Sequence, residues 1–261
     1  MATNTDNVIS AVQKYFYDGA EYYIPVGLDD DEVNAISNFI ESQGQGMLMY
    51  DSDDLSKFAP LSYNQRAAGF SVPTDDDHQN VASAAAIGRV GGLTVGSFDF
   101  ANKTGLVGIL AQDQLNFQQN QLEPYTQANV NTYYYAQGTP ILRDGKTLSG
   151  NYIDTFVGLD WVLRHSNKEL TAVMIKNDKL PFDATGINVL ESALNGVFAT
   201  AFSNGIIGET DDGKIDATIT ALPVDDMKDT DVDARKYKGL SWIYKPANSI
   251  DDAYISGQIT L

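Results

Sequence analysis

Side chains able to do chemistry are unevenly stocked in this sequence. Asp and Glu number 35 against 17 Lys and Arg, cysteine is absent, and only His78 and His165 carry imidazoles. Thiolate catalysis, disulfides and Cys-based zinc sites are excluded, and two histidines leave few ways to build a general base. The acids fall in clusters: Asp29-Asp30-Asp31-Glu32, Asp51 with Asp53 and Asp54, and Asp75-Asp76-Asp77. A calcium loop needs alternating oxygen donors, a glycine at its sharp turn and a bidentate acid at its end. The run from Asp51 puts Ser56 where that glycine belongs. Asp212-Gly213-Lys214-Ile215-Asp216 has the turn, but Gly208 and Thr210 occupy the upstream ligand positions and Ile219 the terminal one. Both read as acidic caps and solvated loops. No metal and no cofactor is expected.

Other chemistries lack their arrangement. Gly44 and Gly46 lie between a helix and a strand, the reverse of the order that aims amides at a phosphate. The run Gly88 to Gly92 has no lysine of a nucleotide loop, and no Gly-x-Ser-x-Gly elbow exists. His165, near Asp160 and Arg164 on a helix, reads as a surface or packing residue, and His78 as a solvated residue at a helix start. Any two acids might meet as a glycosidic pair, but no spacing selects one. Tyr133, Tyr134 and Tyr135 alternate across a strand, an arrangement used for cross-strand packing more often than for sugar or peptide binding. The chain reads as a non-enzyme.

Bulk properties narrow the partners. The 261 residues carry a net charge of -18, with 14 acids against 3 bases in residues 1–80. That charge opposes nucleic acid, whose phosphates require a basic patch, and an anionic membrane surface. The opening MATNTDNVISAVQKYF has no apolar leader, and no stretch approaches the ~18 apolar residues of a membrane span. A soluble protein with no direct membrane insertion is expected. Hydrophobic residues at 43% describe a folded chain.

The elements that position these residues are readable from periodicity. Val8, Ile9, Val12, Tyr15 and Phe16 form one face of a helix that Gly19 ends. Tyr22 to Val26 reads as a strand that Pro25 pushes to an edge. Asp29 or Asp30 caps a helix with Val33, Ile36, Phe39 and Ile40 on its apolar face and Gly44 as its stop, and Met47 to Tyr50 is a strand. From 77 to 98 an Ala-rich helix through Val81, Ala85 and Ile87 is expected and then a strand at Leu93-Thr94-Val95, with Gly88, Gly91 and Gly92 between them, and a short helix in the amide-rich stretch 112–131. Thr132 to Tyr135 is a strand, and Asp144-Gly145 marks a turn between Ile141-Leu142 and Thr147-Leu148. Ile153, Phe156, Val157, Asp160, Trp161 and Arg164 share a helix face. Pro181 interrupts, and Asp183 or Thr185 opens a helix that Gly205 ends. Strands follow at Ala217–Ala221, Leu240–Tyr244 and Tyr254–Leu261. The fold class is α/β (mixed α+β): an acidic N-terminal helix-strand region, 1–132, then a C-terminal domain, 133–261, of two long helices packed on a β-sheet.

In the last strand Ile255, Gly257, Ile259 and Leu261 face one way, while Tyr254, Ser256, Gln258 and Thr260 face the other. Such a strand either closes the chain's own sheet or is donated to a neighbouring subunit.

Three segments then carry a likeness. Pro140 to Gly145, Gly150-Asn151-Tyr152-Ile153-Asp154 with Leu159-Asp160-Trp161-Val162, and Leu180-Pro181-Phe182-Asp183-Ala184-Thr185-Gly186-Ile187 resemble the C-terminal half of contractile-tail sheath proteins of bacteriophages. The closing stretch, from Ala234-Arg235-Lys236 to Tyr254-Ile255-Ser256-Gly257, is similar to the end of sheath-like proteins. More loosely, Val12 to Val26, a helix, a glycine and an aromatic strand, is similar to the sheath's α/β middle region. The resemblance covers about half the chain and contains no catalytic signature.

It implies a structural homo-oligomer. Hexameric rings would stack around a tail tube protein and contract to drive the tube through a host envelope, in the virion tail after assembly in the host cytoplasm. Sheath families link subunits through terminal arms whose strands complete a neighbour's sheet, and Tyr254, Ile255, Gly257, Ile259 and Leu261 fit such a C-terminal arm. Asp144, Gly145, Tyr152, Ile153, Asp154, Asp160, Trp161 and Pro181 are the structural residues of the pattern. The first helix begins by about Asn7, so a leading N-terminal arm is expected to be missing or the linkage to differ. The alternatives are another phage tail or baseplate component, or an α/β hydrolase or carbohydrate-binding module.

Overall fold

The structure is a computed structural model that describes residues 4–16, 18–71, 81–109 and 119–251. It divides into two compact units, the described parts of 1–93, 98–157 and 249–251 forming one, and 94–97 with 158–248 the other.

Among the described residues the first unit is built on a five-stranded sheet. Helix α1 (Asn4–Phe16) precedes β1 (Tyr22–Tyr23), α2 (Asp30–Gln43), β2 (Met47–Asp51) and β3 (Ala67–Ser71). Helices α3 (Ala82–Val90) and α4 (Gln119–Gln127) follow, then β4 (Asn131–Ala136) and β5 (Thr139–Leu142). The sheet order is β1-β2-β3-β4-β5, parallel through β4 and antiparallel between β4 and β5. The expected parallel α/β arrangement is present, and β1 is an edge strand of only two residues, as Pro25 requires.

Helix α2 forms because both its ends are specified. Asp29 accepts the Glu32 amide at 2.9 Å while the Glu32 carboxylate accepts the Asp29 amide at 3.0 Å, a reciprocal capping box. Gly44, at φ 63°, donates to Ile40 O and closes the other end. Between them Val33, Ile36 and Ile40 pack with Leu48, Tyr50, Phe58 and Phe16. On α1, Val8, Ile9, Val12 and Phe16 pack inward as expected, but Tyr15 is exposed.

Strand β3 was not foreseen. Ala67-Ala68-Gly69-Phe70-Ser71 has neither β-branched residues nor alternation, because every position is buried. A Cβ on Gly69 would lie 2.8 Å from both Leu148 Cδ2 and Phe58 Cδ1, so small residues are what the packing admits. The expected strand at 93–95 is instead a run of turns. The β4–β5 hairpin turns at Gln137-Gly138, both with positive φ, rather than at Asp144-Gly145.

The second unit contains most of α5 (Ile153–Lys176), α6 (Ala184–Ser203), β6 (Ala217–Ala221), the short α7 (Asp229–Asp233) and β7 (Leu240–Tyr244). Asp183 caps α6 by accepting the amides of Thr185 and Gly186 at 2.8 and 3.1 Å. Strands β6 and β7 pair antiparallel, placing Ile219 opposite Trp242 and Ala217 opposite Tyr244. Their inward face meets Phe198, whose ring lies 5.6 Å from Trp242 and 6.2 Å from Tyr244. Val162, Val197, Phe198, Ala201, Ile206 and Ile207 form the core. Two long helices packed on a sheet are therefore present, as expected. Of the expected α5 face Ile153, Val157 and Asp160 are buried, but Phe156, Trp161 and Arg164 are half-buried, and Gly158, Val162 and Ser166 are buried at steps of four.

Candidate functional site

In the first unit the pattern residues Asp144, Gly145, Tyr152, Ile153 and Asp154 converge where β5 gives way to α5. Asp144 and Gly145 adopt φ 72° and 66°, and a Cβ on Gly145 would stand 2.8 Å from Ala101 N and 3.0 Å from Phe100 C. Only glycine lets the turn approach that backbone. The Arg143 guanidinium reaches Asp144 Oδ1 at 3.4 Å and the Tyr134 hydroxyl at 3.4 Å. Gly145 O accepts the Ile153 amide at 3.0 Å, so the turn satisfies a donor at the start of α5. Ile153 is fully buried.

Asn131 fixes the strand that follows the turn. Its Nδ2 donates to Lys146 O at 2.7 Å and Gly69 O at 2.9 Å, and its Oδ1 accepts the Lys146 amide at 2.9 Å. Lys146 and Tyr152 form an antiparallel bridge, with the ammonium 5.7 Å from the Tyr152 ring centre. Thr147 donates its amide to Asn151 O at 2.7 Å, and Leu148 donates to Ala67 O at 2.7 Å.

Asp154, on the first turn of α5, looks onto residues far away in sequence. Burial pushes its carboxyl up to about 6, with lesser upward contributions from the charges of Asp99 and Asp251, against its own backbone amide and the charge of Lys103. Lys103 Nζ donates to Asp99 and, at 3.0 Å, to Ala101 O. Asn102 Nδ2 donates to Asp251 O at 2.9 Å, holding the segment 249–251 on this unit. Sequence reasoning missed Asp99, Asn102, Lys103, Asn131 and Asp251. Only the polar Asn131 at the head of a strand offered a local signal.

The remaining pattern residues lie in the second unit. Asp160 is buried and faces Tyr244, whose hydroxyl is pushed up to about 12 by burial and then by that carboxylate. Trp161 stacks on His165 with ring centres 3.7 Å apart, and His165 Nδ1 lies 2.8 Å from Trp161 O. The pair lines a groove of 430 Å³ with Lys168, Glu169, Gly196 and Thr200. Pro181 lines a second, apolar groove of 280 Å³ with Met174, Phe182, Leu190, Tyr237 and Leu240. Tyr254, Ile255, Gly257, Ile259 and Leu261, like His78 and Asp75 to Asp77, lie outside the described residues.

This arrangement is a set of structural clamps. Among the described residues no group of three or more His, Asp or Glu is placed to hold a metal ion. Asp51, a largely buried acid, accepts from the amide and hydroxyl of Ser83 and so serves as a cap for α3. Among the described residues no helix is long and apolar enough to cross a membrane.

The sequence matches no protein-family profile and no curated protein. Solved structures do match. A chain in the cryo-EM structure of the anti-feeding prophage baseplate, six-fold symmetrised, aligns with all of this chain and 75% of its own length at a TM-score of 0.74 and 12% identity. The chain has a sheath-type fold. A chain of the PVC sheath complex, an extracellular contractile injection system in its contracted state, aligns over 91% of this chain and 70% of its own at 0.69 and 10% identity. One from the contracted helical sheath of the anti-feeding prophage aligns over 100% and 75% at 0.69 and 14% identity. The likeness extends across both units, including the N-terminal part, where the sequence resemblance is looser than in the C-terminal half.

Proposed function

We propose that the chain is a structural, non-enzymatic subunit of a contractile phage tail or tail-like injection machine, and specifically a sheath subunit. Copies stack as hexameric rings around a tail tube protein and shorten to drive the tube through a host envelope. The observation that carries this reading is the likeness over 91–100% of the chain to proteins of sheath and baseplate assemblies. The acidic charge fits a protein partner better than nucleic acid, and the site of action is the particle's tail.

The second sheet suggests how copies join. Among the described residues it stops at two strands, so β6 and β7 each present an outer edge. Isolated two-stranded sheets are marginal, and an added strand completes them. The alternating Tyr254–Leu261 sequence of a neighbouring copy is our proposed addition. The baseplate neighbour favours a second reading, a sheath-type ring component at the tail end.

The test is sedimentation with negative-stain imaging of the purified chain, with and without a tube protein. Hollow cylinders with six-fold end views support the sheath; isolated rings favour the baseplate reading; a monomer under both conditions counts against both. Deleting residues 254–261 should abolish linkage and leave a folded body. If the truncated chain unfolds, that strand belongs to its own core.

A further inference from the structure

We infer that the apolar groove lined by Arg235 in the second unit is a docking site for a second copy of this chain, with the Arg235 guanidinium taking a carboxylate of that copy. A backbone conflict singles it out. Helix α7 ends in a Schellman motif: Lys236 N–H donates to Asp231 O at 2.8 Å and Arg235 N–H to Val232 O at 2.9 Å. Arg235 thereby stands at the left-handed position, φ 56°, that glycine ordinarily fills. Among the described residues, the other non-glycine residues with positive φ are Asn102, Asn129 and Asp144, whose short polar side chains tolerate it, and Gln137 in the β4–β5 turn. Arg235 costs the fold stability there, and among the described residues its guanidinium makes no hydrogen bond, ion pair or ring contact in return. An uncompensated outlier of this kind points to a task outside the chain.

The groove sets the chemistry of its occupant. Its 280 Å³ are walled by Pro181, Leu190, Tyr237 and Leu240, with Met174 exposed beside them. Tyr237 is fixed by donating its hydroxyl to Leu222 O at 2.7 Å and by the Phe182 ring, 5.9 Å away. An apolar floor beside one unengaged guanidinium suits an apolar side chain carried next to an acid. Copies that each carry a net charge of -18 repel one another unless a cation faces the seam. The sequence of the first unit holds 21 acids against 7 bases, and an acid, a carbonyl or a ring already engages each of those bases. A second copy therefore offers carboxylates, and the exposed Arg235 and Lys236 are free to receive them. A groove filled by a projection is a heterologous contact, which repeats from copy to copy as a ring or a helix. This docking rests on the proposed assembly of copies, though not on its form as a sheath.

Arg235→Gly separates docking from folding, because the two should move in opposite directions. It should raise the melting temperature of the dilute full-length chain by roughly 2–4 °C, by relieving the left-handed arginine. It should also weaken self-association, followed by sedimentation velocity over a concentration series, by at least about tenfold. Arg235→Lys keeps the charge and the backbone conflict, so it should melt like the wild type and associate more tightly than Arg235→Gly. Met174→Glu sets a like charge in the groove on an exposed side chain and should abolish association in a chain that still folds. A wild-type chain that stays monomeric at every soluble concentration would overturn the proposal, as would an Arg235→Gly chain that melts below wild type. Cylinders that Arg235→Gly still builds would remove the docking and leave the sheath reading standing. Small oligomers lost in Arg235→Gly, with no rings or cylinders from the wild type, would support the docking and count against the sheath. Loss of tube-protein binding alone in that variant would give the groove to the tube and overturn the second copy as its occupant.

Discussion

Asn131 and Lys146 pair as two strands would, but with one partner a side chain: the asparagine amide donates to Lys146 O at 2.7 Å and accepts Lys146 N–H at 2.9 Å. The same amide also holds Gly69 O, so one buried side chain joins β3, β4 and the turn segment. Asn131→Ala should cost about 2–4 kcal/mol in urea unfolding, since several buried main-chain groups lose their partner at once. Asn131→Asp should be at least as damaging, because a carboxylate cannot donate to the two carbonyls. Stability within about 0.5 kcal/mol of wild type would mean that backbone groups elsewhere take over.

Asp154 makes stability depend on pH in a known direction. Its carboxyl is raised from 3.8 to about 6 in the folded chain, so the folded state holds the proton more tightly than the unfolded state. The resulting stabilisation is fully present below about pH 4 and is lost as pH rises through about 6. Asp154→Asn should remove that component and raise stability at neutral pH by up to about 3 kcal/mol. Chemical denaturation at several pH values measures both; an unchanged slope between pH 4 and 7 would exclude the burial described.

Trp161 and Phe198 separate a surface aromatic from a core one. Phe198 is 2% exposed and packs against Trp242 and Tyr244, so Phe198→Ala should cost about 3–5 kcal/mol. Trp161, half-buried and stacked on His165, should cost only about 1–2 kcal/mol when cut to alanine. Thermal melts of the two variants side by side decide the order, and a reversed order would show that the groove over Trp161 is closed.

Gly145 and Gly213 share a positive φ but not a neighbourhood. Nothing lies within 4 Å of a Cβ built on Gly213, whereas one on Gly145 meets the backbone of Ala101 at 2.8 Å. Gly213→Ala should therefore cost about 1 kcal/mol, from conformation alone. Gly145→Ala should cost about 2–4 kcal/mol, because the backbone it meets cannot rotate away. Equal losses in denaturant titration would mean that the turn shifts freely.

What the sequence disclosed follows from how local each signal is. The capping box at Asp29 and the cap at Asp183 announced α2 and α6 because the donors and acceptors lie within three residues. Strand β3 left no period to read, being buried on both faces and filled with Ala and Gly. Asp144-Gly145 is a true turn, yet its partners are Ala101 and Ile153 rather than a hairpin's second strand. Tyr152-Ile153-Asp154 stood out in the sequence, but Asn102 and Asp251, which meet beside the start of α5 in the same unit, stand 149 residues apart, and no spacing rule links them. Trp161 lies off the buried side because Gly158, Val162 and Ser166 recur every four residues, a run that rotates away from the face of Ile153, Val157 and Asp160 on a helix of about 3.6 residues per turn.

The order of strands in the first unit is also their order of synthesis, β1-β2-β3-β4-β5. Each strand that leaves the ribosome finds its edge already made, and no earlier pair has to open to admit it. Parallel pairing is slow when distant pieces must search for one another. Here the search is always for the most recent strand, so the sheet can grow vectorially, and the segment 249–251 is the final described piece to be fastened to a body already folded.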